Sequence, residues 1–196
     1  MIPRILDLCG GSGAWSKPYR QAGYCVEIVD PLVDGRDARL LERRAGGFRG
    51  ILCAPVCTVF SYARNRYPPT EEELLGALSL VDACVRISWV QMRAGASWWA
   101  LENPRNKLRR YLGPARLEFY RWEYGDSGHK PTCIWGEFTV PMKRLVGRHH
   151  IGRADGNRLE QRLANGSTFG TKYENAHPED AVTPAGFARA FFEVNP

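Results

Sequence analysis

The sequence predicts an α/β domain, a doubly wound and mostly parallel sheet with helices between its strands. Two observations carry this. Short apolar runs break into glycine turns, Asp-Pro or Ala-Pro, with helix-like stretches between them, and strands alternating with helices build parallel sheets. The 196 residues, 44% of them hydrophobic, suffice for one such domain with a core of its own and are too few for two with linkers.

Taken in order, Ile5-Leu6-Asp7-Leu8-Cys9 reads as a first strand that breaks into Gly10-Gly11-Ser12-Gly13, followed by a helix to about Ala22 that Gly23 stops. A second strand, Tyr24–Val29, ends in Asp30-Pro31, and a third, Gly50–Cys53, ends in Ala54-Pro55. The clearest helix opens at Thr70, where Thr-x-x-Glu with Glu73 forms a capping box. Leu74, Leu78, Val81, Val85, Trp89 and Met92 recur at helical spacing, so this stripe is expected to face the sheet, and Gly95 to end the helix. Trp98–Leu101 is a fourth strand leading into Glu102-Asn103-Pro104. Residues 121–140 read as two shorter strands around Gly125–Gly128, and Thr183-Pro184 opens a terminal helix reaching Phe192. The domain plan is a core over 1–142, a basic loop region over 143–180, and a closing helix over 181–196.

Composition narrows the setting. Lys and Arg number 27 against 21 Asp and Glu, a net charge of +6 that suits a polyanionic partner and is equally ordinary for solubility. No apolar stretch reaches the ~18 residues of a membrane span, and the chain enters a strand without a secretory leader. A cytoplasmic location and no membrane partner are expected. The six cysteines lack a framework spacing, as reduced thiols do. Cys53, Cys57, His149 and His150 have ligand chemistry without zinc-finger spacing, so no metal site is expected.

In a parallel sheet, ligands collect beyond the carboxyl ends of the strands. The first end offers a glycine turn after the acidic Asp7, which lets a ligand approach the backbone. It is not a P-loop, because Lys17 follows Ser16 and the Gly-Lys-Ser/Thr ending is absent. Asp30 ends the second strand where an acid would meet ribose hydroxyls, and the pair implies a nucleoside-bearing cofactor. Cys57, just past the third strand in a loop, stands where exposure and a lowered pKa make a nucleophile. Glu102 emerges from an apolar strand flanked by tryptophans, where burial raises a carboxyl's pKa and suits it to proton transfer.

These residues fall in ordered blocks that resemble the DNA (cytosine-5) methyltransferases, in the compact form found in phages and prophages. DLCGGSGAWSKPYRQAGY is similar to the first family block, APVCTVFS to the Pro-Pro-Cys block and LENP to the Glu-Asn-Val block. YGDSGHKPTCIWG resembles the later Tyr-Gly block and VTPAGFARAFF the closing helix. The resemblance covers about half the chain. It implies the Rossmann-like fold of class I S-adenosylmethionine-dependent methyltransferases, with S-adenosylmethionine held by Asp7, Cys9, Gly10, Gly11, Gly13, Trp15, Asp30, Asp37 and Pro55. It implies Cys57 as nucleophile, Glu102 as proton-sharing acid and Asn103 as the residue holding the Glu102 loop. DNA, presenting a flipped or single-stranded cytosine, would meet Ser61, Lys130, Thr132, Arg158 and Arg162.

Departures from the family pattern are specific. Cys9 stands for a phenylalanine, Val56 for the second proline, Pro104 for a valine, and Lys130 and Thr132 for a pair of arginines. The usual target-recognition region is reduced to the basic segment after Val140, so a monomer reading only a few base pairs is expected. Two other readings stay open: a methylase of free pyrimidine nucleotides, which needs no recognition region, and a catalytically decayed DNA-binding homologue.

Overall fold

A computed structural model describes residues 2–41, 46–127, 130–144 and 182–196. In chain order these form β1 (Arg4–Leu8), α1 (Lys17–Gln21), β2 (Cys25–Val29), β3 (Gly50–Cys53), α2 (Glu71–Arg93) and β4 (Trp98–Pro104). Then come α3 (Arg109–Leu112), β5 (Leu117–Tyr120), β6 (Pro131–Glu137) and α4 (Ala185–Val194). Most of the basic segment, with Arg158 and Arg162, lies outside the described residues.

The strands make one six-stranded sheet in the order β2-β1-β3-β4-β6-β5. Pairings β1–β2, β1–β3 and β3–β4 are parallel, while β4–β6 and β5–β6 are antiparallel. The sheet is therefore mixed, where the sequence predicts a mostly parallel one. The reason is the short connection across residues 121–130: a parallel neighbour needs a crossover of about a dozen residues or more, so β6 returns antiparallel to β5. Boundaries shift there as well. The predicted strand at Arg121 is a 3₁₀ turn, Arg121–Tyr124, and its strand lies earlier, at Leu117–Tyr120.

Helices cover both faces. Successive strand residues alternate between two cores, as the period of two requires. Leu6, Ile51, Cys53, Trp99, Leu101 and Trp135 face α2, and Ile5, Leu52, Trp98, Ala100 and Ile134 face α1 and α4. On the second face Phe187 stacks on Phe119 with centroids 4.2 Å apart, and Phe191 meets Trp15 and Trp98 edge-on. Gly186 marks the close approach of α4: a Cβ there would stand 2.1 Å from the Tyr124 carbonyl oxygen.

Helix α2 begins as predicted. Thr70 Oγ1 accepts from Glu73 N–H, and the Glu73 carboxylate accepts from Thr70 N–H. Of the predicted stripe, Val81 is buried and Leu74, Leu78, Val85 and Met92 pack partly buried against the same core, while the most deeply buried line runs beside them. Ala77, Val81, Cys84, Ser88 and Gln91 are buried, whereas Trp89 is 56% exposed. Small side chains let the helix lie close on the sheet, where Cys53 Sγ reaches Ser88 Oγ at 3.5 Å. Among the described residues no helix is long and apolar enough to cross a membrane.

Candidate active site

Strand β1 ends at Leu8, and the chain turns through Cys9, Gly11 and Gly13, with φ of 57°, 49° and 67°. Space as well as dihedral angle requires glycine: a Cβ on Gly10 would stand 2.5 Å from the Asp7 carboxyl carbon. One on Gly11 would meet nothing within 4 Å, so the outer side of the turn is open. Gly11 N–H donates to Asp30 Oδ2 at 3.0 Å and Leu32 N–H to Asp30 Oδ1 at 2.9 Å. Asp30 thus ties the glycine turn to the end of β2. Asp37 caps the 3₁₀ turn Ala38–Leu40, and hydrogen bonds from Arg39 hold its carboxylate below the usual range. Arg39 in turn lies within electrostatic reach of Cys9.

Asp7 sits beneath this turn. Its Oδ2 accepts from the Ser16 hydroxyl, while its buried Oδ1 has no hydrogen-bond partner. Burial pushes the carboxyl up to about 6, against the Ser16 hydrogen bond and the Arg20 charge. Cys9 points to the other face, where hydrogen bonds with the thiols of Cys53 and Cys9, and then burial, push the Cys84 thiol well above the usual cysteine range.

The second half of the site forms where β3 and β4 end side by side. Cys57 heads the 3₁₀ turn Thr58–Phe60, with Phe60 N–H donating to its carbonyl at 3.1 Å. A buried amide network fixes this loop. Asn103 Nδ2 donates to the Pro55 carbonyl at 2.9 Å, Asn103 Oδ1 accepts from Asn106 Nδ2, and Asn106 Oδ1 accepts from Leu108 N–H. Asn103 is therefore a positioning residue that holds the Cys57 loop against β4. Ser61 follows the turn, half-buried, its carbonyl accepting from Arg64 N–H.

Cys57, Glu102 and Lys130 form one electrostatic cluster. Burial pushes the Cys57 thiol up; the Lys130 charge opposes this and the Glu102 charge adds to it. Burial likewise raises the Glu102 carboxyl, with Lys130 and Arg121 pulling it down. The expected lowering of the Cys57 pKa is thus corrected: desolvation outweighs the nearby cation. The expected raising of Glu102 is what the structure gives. A proton on Glu102 removes the anion that disfavours the thiolate.

Not every predicted residue reaches this place. The Trp15 ring, 2% exposed, is packed against Phe187 and Phe191 in the core rather than laid over the glycine turn. Thr132 is buried within β6, paired with Pro104 and Phe119. Three residues were not singled out from sequence: Ser16 on Asp7, Asn106 on Asn103, and Arg121 near Glu102. Arg121 directly precedes the Trp-Glu-Tyr-Gly run, and its burial is visible only in the structure.

Comparison with known proteins finds no matching family and no matching curated protein. What fold and site define together is an α/β chain whose strand ends gather a glycine turn, acidic side chains, a half-buried thiol, a carboxyl raised by burial and two cations.

Proposed function

We propose that this chain is an S-adenosylmethionine-dependent methyltransferase of the Rossmann-like class that methylates carbon 5 of cytosine in DNA through a covalent cysteine adduct. The observation that carries the reading is the meeting of Cys57, Glu102 and Lys130 at the ends of two adjacent parallel strands, next to the glycine turn and Asp30.

The residues at the first two strand ends fit the cofactor. The open side over Gly11 admits a ligand to the backbone, the unpartnered Asp7 Oδ1 lies beneath it, and Asp30 and Asp37 place acids beyond β1 and β2. Asp30 and Asp37 would take the nucleoside hydroxyl and amino groups, and the turn from Cys9 to Gly13 the rest. When bound, S-adenosylmethionine supplies a methyl group on a positively charged sulfur.

Carbon 5 of cytosine is a poor nucleophile, and the chain's own groups supply what it lacks. The Cys57 thiolate adds to carbon 6 while Glu102, protonated, donates to ring nitrogen 3. The ring electrons then collect at carbon 5. Lys130 stabilises the thiolate before attack, and the Asn103–Pro55 tie keeps the sulfur's loop in register with the carboxyl. After methylation, loss of the carbon 5 proton to a base expels the Cys57 sulfur and restores the ring.

The test is trapping. DNA carrying 5-fluorocytosine, incubated with S-adenosylmethionine, is expected to leave an adduct that mass spectrometry maps to Cys57, because fluorine does not leave as a proton does. Cys57→Ser is expected to form none while still binding S-adenosylhomocysteine in calorimetry. An adduct on Cys53, or methyl transfer by the serine variant, contradicts the reading.

A further inference from the structure

The loops that follow β3 and β4 carry an aromatic and basic rim that the catalytic cluster does not use. Residues 54–70 and 103–117 hold seven of the chain's 27 Lys and Arg and none of its 21 Asp and Glu, so the remainder is close to charge-balanced. The two loops touch. Lys107 N–H donates to the Phe60 carbonyl at 3.0 Å, and the Phe60 and Tyr111 rings stand 6.2 Å apart. Three tyrosines of these loops are exposed: Tyr62 is 53% exposed, Tyr67 68% and Tyr111 52%. Arg66 lies over the Tyr67 ring at 5.5 Å, and Arg105 and Arg110 are exposed on the loop that carries Tyr111. Among the described residues none of these three arginines is in an ion pair, unlike Arg64 and Arg109, which pair with Glu73 and Glu118.

We infer that this rim binds a single strand of DNA, its bases stacking on Tyr62, Tyr67 and Tyr111 and its phosphates meeting Arg66, Arg105 and Arg110. The chemistry separates single strand from duplex. A duplex hides its base faces and offers a protein phosphates and groove edges. Exposed aromatic rings interleaved with cations match unpaired bases, whose faces stack irrespective of sequence. An exposed tyrosine is by itself ordinary; three on two touching acid-free loops, one of which carries Cys57 and the other of which follows Glu102 directly in the chain, give an unpaired base a surface to stack on beside that cluster. The inference rests on the methyltransferase reading for its purpose, since a single strand arrives with its cytosines already out of the stack.

The test uses the full chain and a fluorescein-labelled oligo-dT of about 12 nucleotides, within the span of known single-strand sites. Oligo-dT contains no cytosine, so its binding is independent of methyl transfer and of the adduct at Cys57. Anisotropy is expected to show oligo-dT bound at least about tenfold more tightly than the dA·dT duplex of equal length, the order expected from one or more stacked bases. Tyr62→Ala and Tyr67→Ala, both at exposed rings outside the cores, are each expected to weaken it by about tenfold, and Tyr67→Phe to leave it within about twofold, since stacking needs the ring and not the hydroxyl. Duplex bound as tightly as the single strand, or both alanine variants binding like the parent, overturns the inference and leaves the proposed methyl transfer untouched. Single-strand binding without a Cys57 adduct on 5-fluorocytosine DNA supports the rim and overturns the methyltransferase reading.

Discussion

The two halves of the site are built differently. Beyond β2 the chain satisfies Asp30 and Asp37 with its own backbone and arginines: both Asp30 oxygens accept amide hydrogens, and Arg39 keeps Asp37 ionised. At the ends of β3 and β4 the acidic groups are pushed toward their neutral forms, and the charges near them belong to other side chains of the site. The first half is a cradle whose shape is set by main-chain bonds. The second is a pair of half-buried titratable groups whose desolvation favours their neutral forms, a common condition of groups that move protons. Changes in the cradle are therefore expected to appear in stability and affinity, and changes in the pair in rate.

The widest separation is expected from Glu102→Gln. An amide is close in shape but holds no transferable proton, so methyl transfer is expected to fall by about 10² to 10⁴. Calorimetric binding of S-adenosylhomocysteine should stay within about twofold of the parent, since Glu102 is not in the cradle. Affinity falling as far as rate removes the division between the halves.

Asp7 tests the cradle from inside, because it shares the burial of the second half. Its carboxyl goes from 3.8 to about 6 on folding. Below about pH 4 it is protonated in both folded and unfolded chains, and burial costs nothing in charge. As pH rises from 4 to 6 the unfolded chain releases the proton while the folded chain keeps it, so stability falls through this window; above it the loss is complete, at about 3 kcal/mol. Asp7→Asn, whose amide oxygen can still accept from Ser16, is expected to flatten that part of the pH–stability curve in denaturant titrations. An unchanged slope between pH 4 and 7 assigns the pH dependence to another group.

Asn103→Ala tests the frame of the second half at a smaller cost. It leaves the Pro55 carbonyl and the Asn106 amide unpaired in the interior, for a loss of about 1 to 3 kcal/mol in denaturant unfolding. Methyl transfer is expected to fall further than stability alone explains, because the loop carrying Cys57 loses its tie to β4. Asn103→Asp, which keeps an acceptor for Asn106 but not the donor to Pro55, separates the two bonds.

How much of this was legible in the sequence depends on the range of the cause. The Thr70 capping box is local, and the structure has it as read. That Cys57 and Glu102 come near each other was legible because one follows and the other ends an apolar strand, and two strand ends of a parallel pair necessarily lie together. The apolar stripe of α2 was legible except at Trp89, but the small residues at the centre of the buried face, Ala77, Cys84 and Ser88, carry little hydrophobic signal; their small size, which lets the helix approach the sheet, acts only once the sheet exists. Trp15 was misplaced for a similar reason, since the rings that bury it, Phe187 and Phe191, come from the opposite end of the chain. Arg121 escaped notice because its place beside Glu102 follows from β6 inserting between β4 and β5, a pairing no local pattern encodes.

The smallest expected effect probes the pair alone, without substrate or cofactor. Two groups act on the Cys57 sulfur with opposite sign: Lys130 favours the thiolate and Glu102 disfavours it. Alkylation by iodoacetamide reads the thiolate population, so at fixed pH near 8 the rate at Cys57, followed by peptide mass spectrometry, is expected to fall in Lys130→Met and rise in Glu102→Gln. Each change should be less than about tenfold, because a single charge partly screened by water is worth on the order of 1 kcal/mol. Cys53 and Cys84, enclosed in the core, give an internal reference that neither substitution should move. Opposite signs at Cys57 with an unmoved reference assign the effect to charge. The same sign in both variants points to loosened packing of the loop, and the second half of the site would then be held by shape, as the first is.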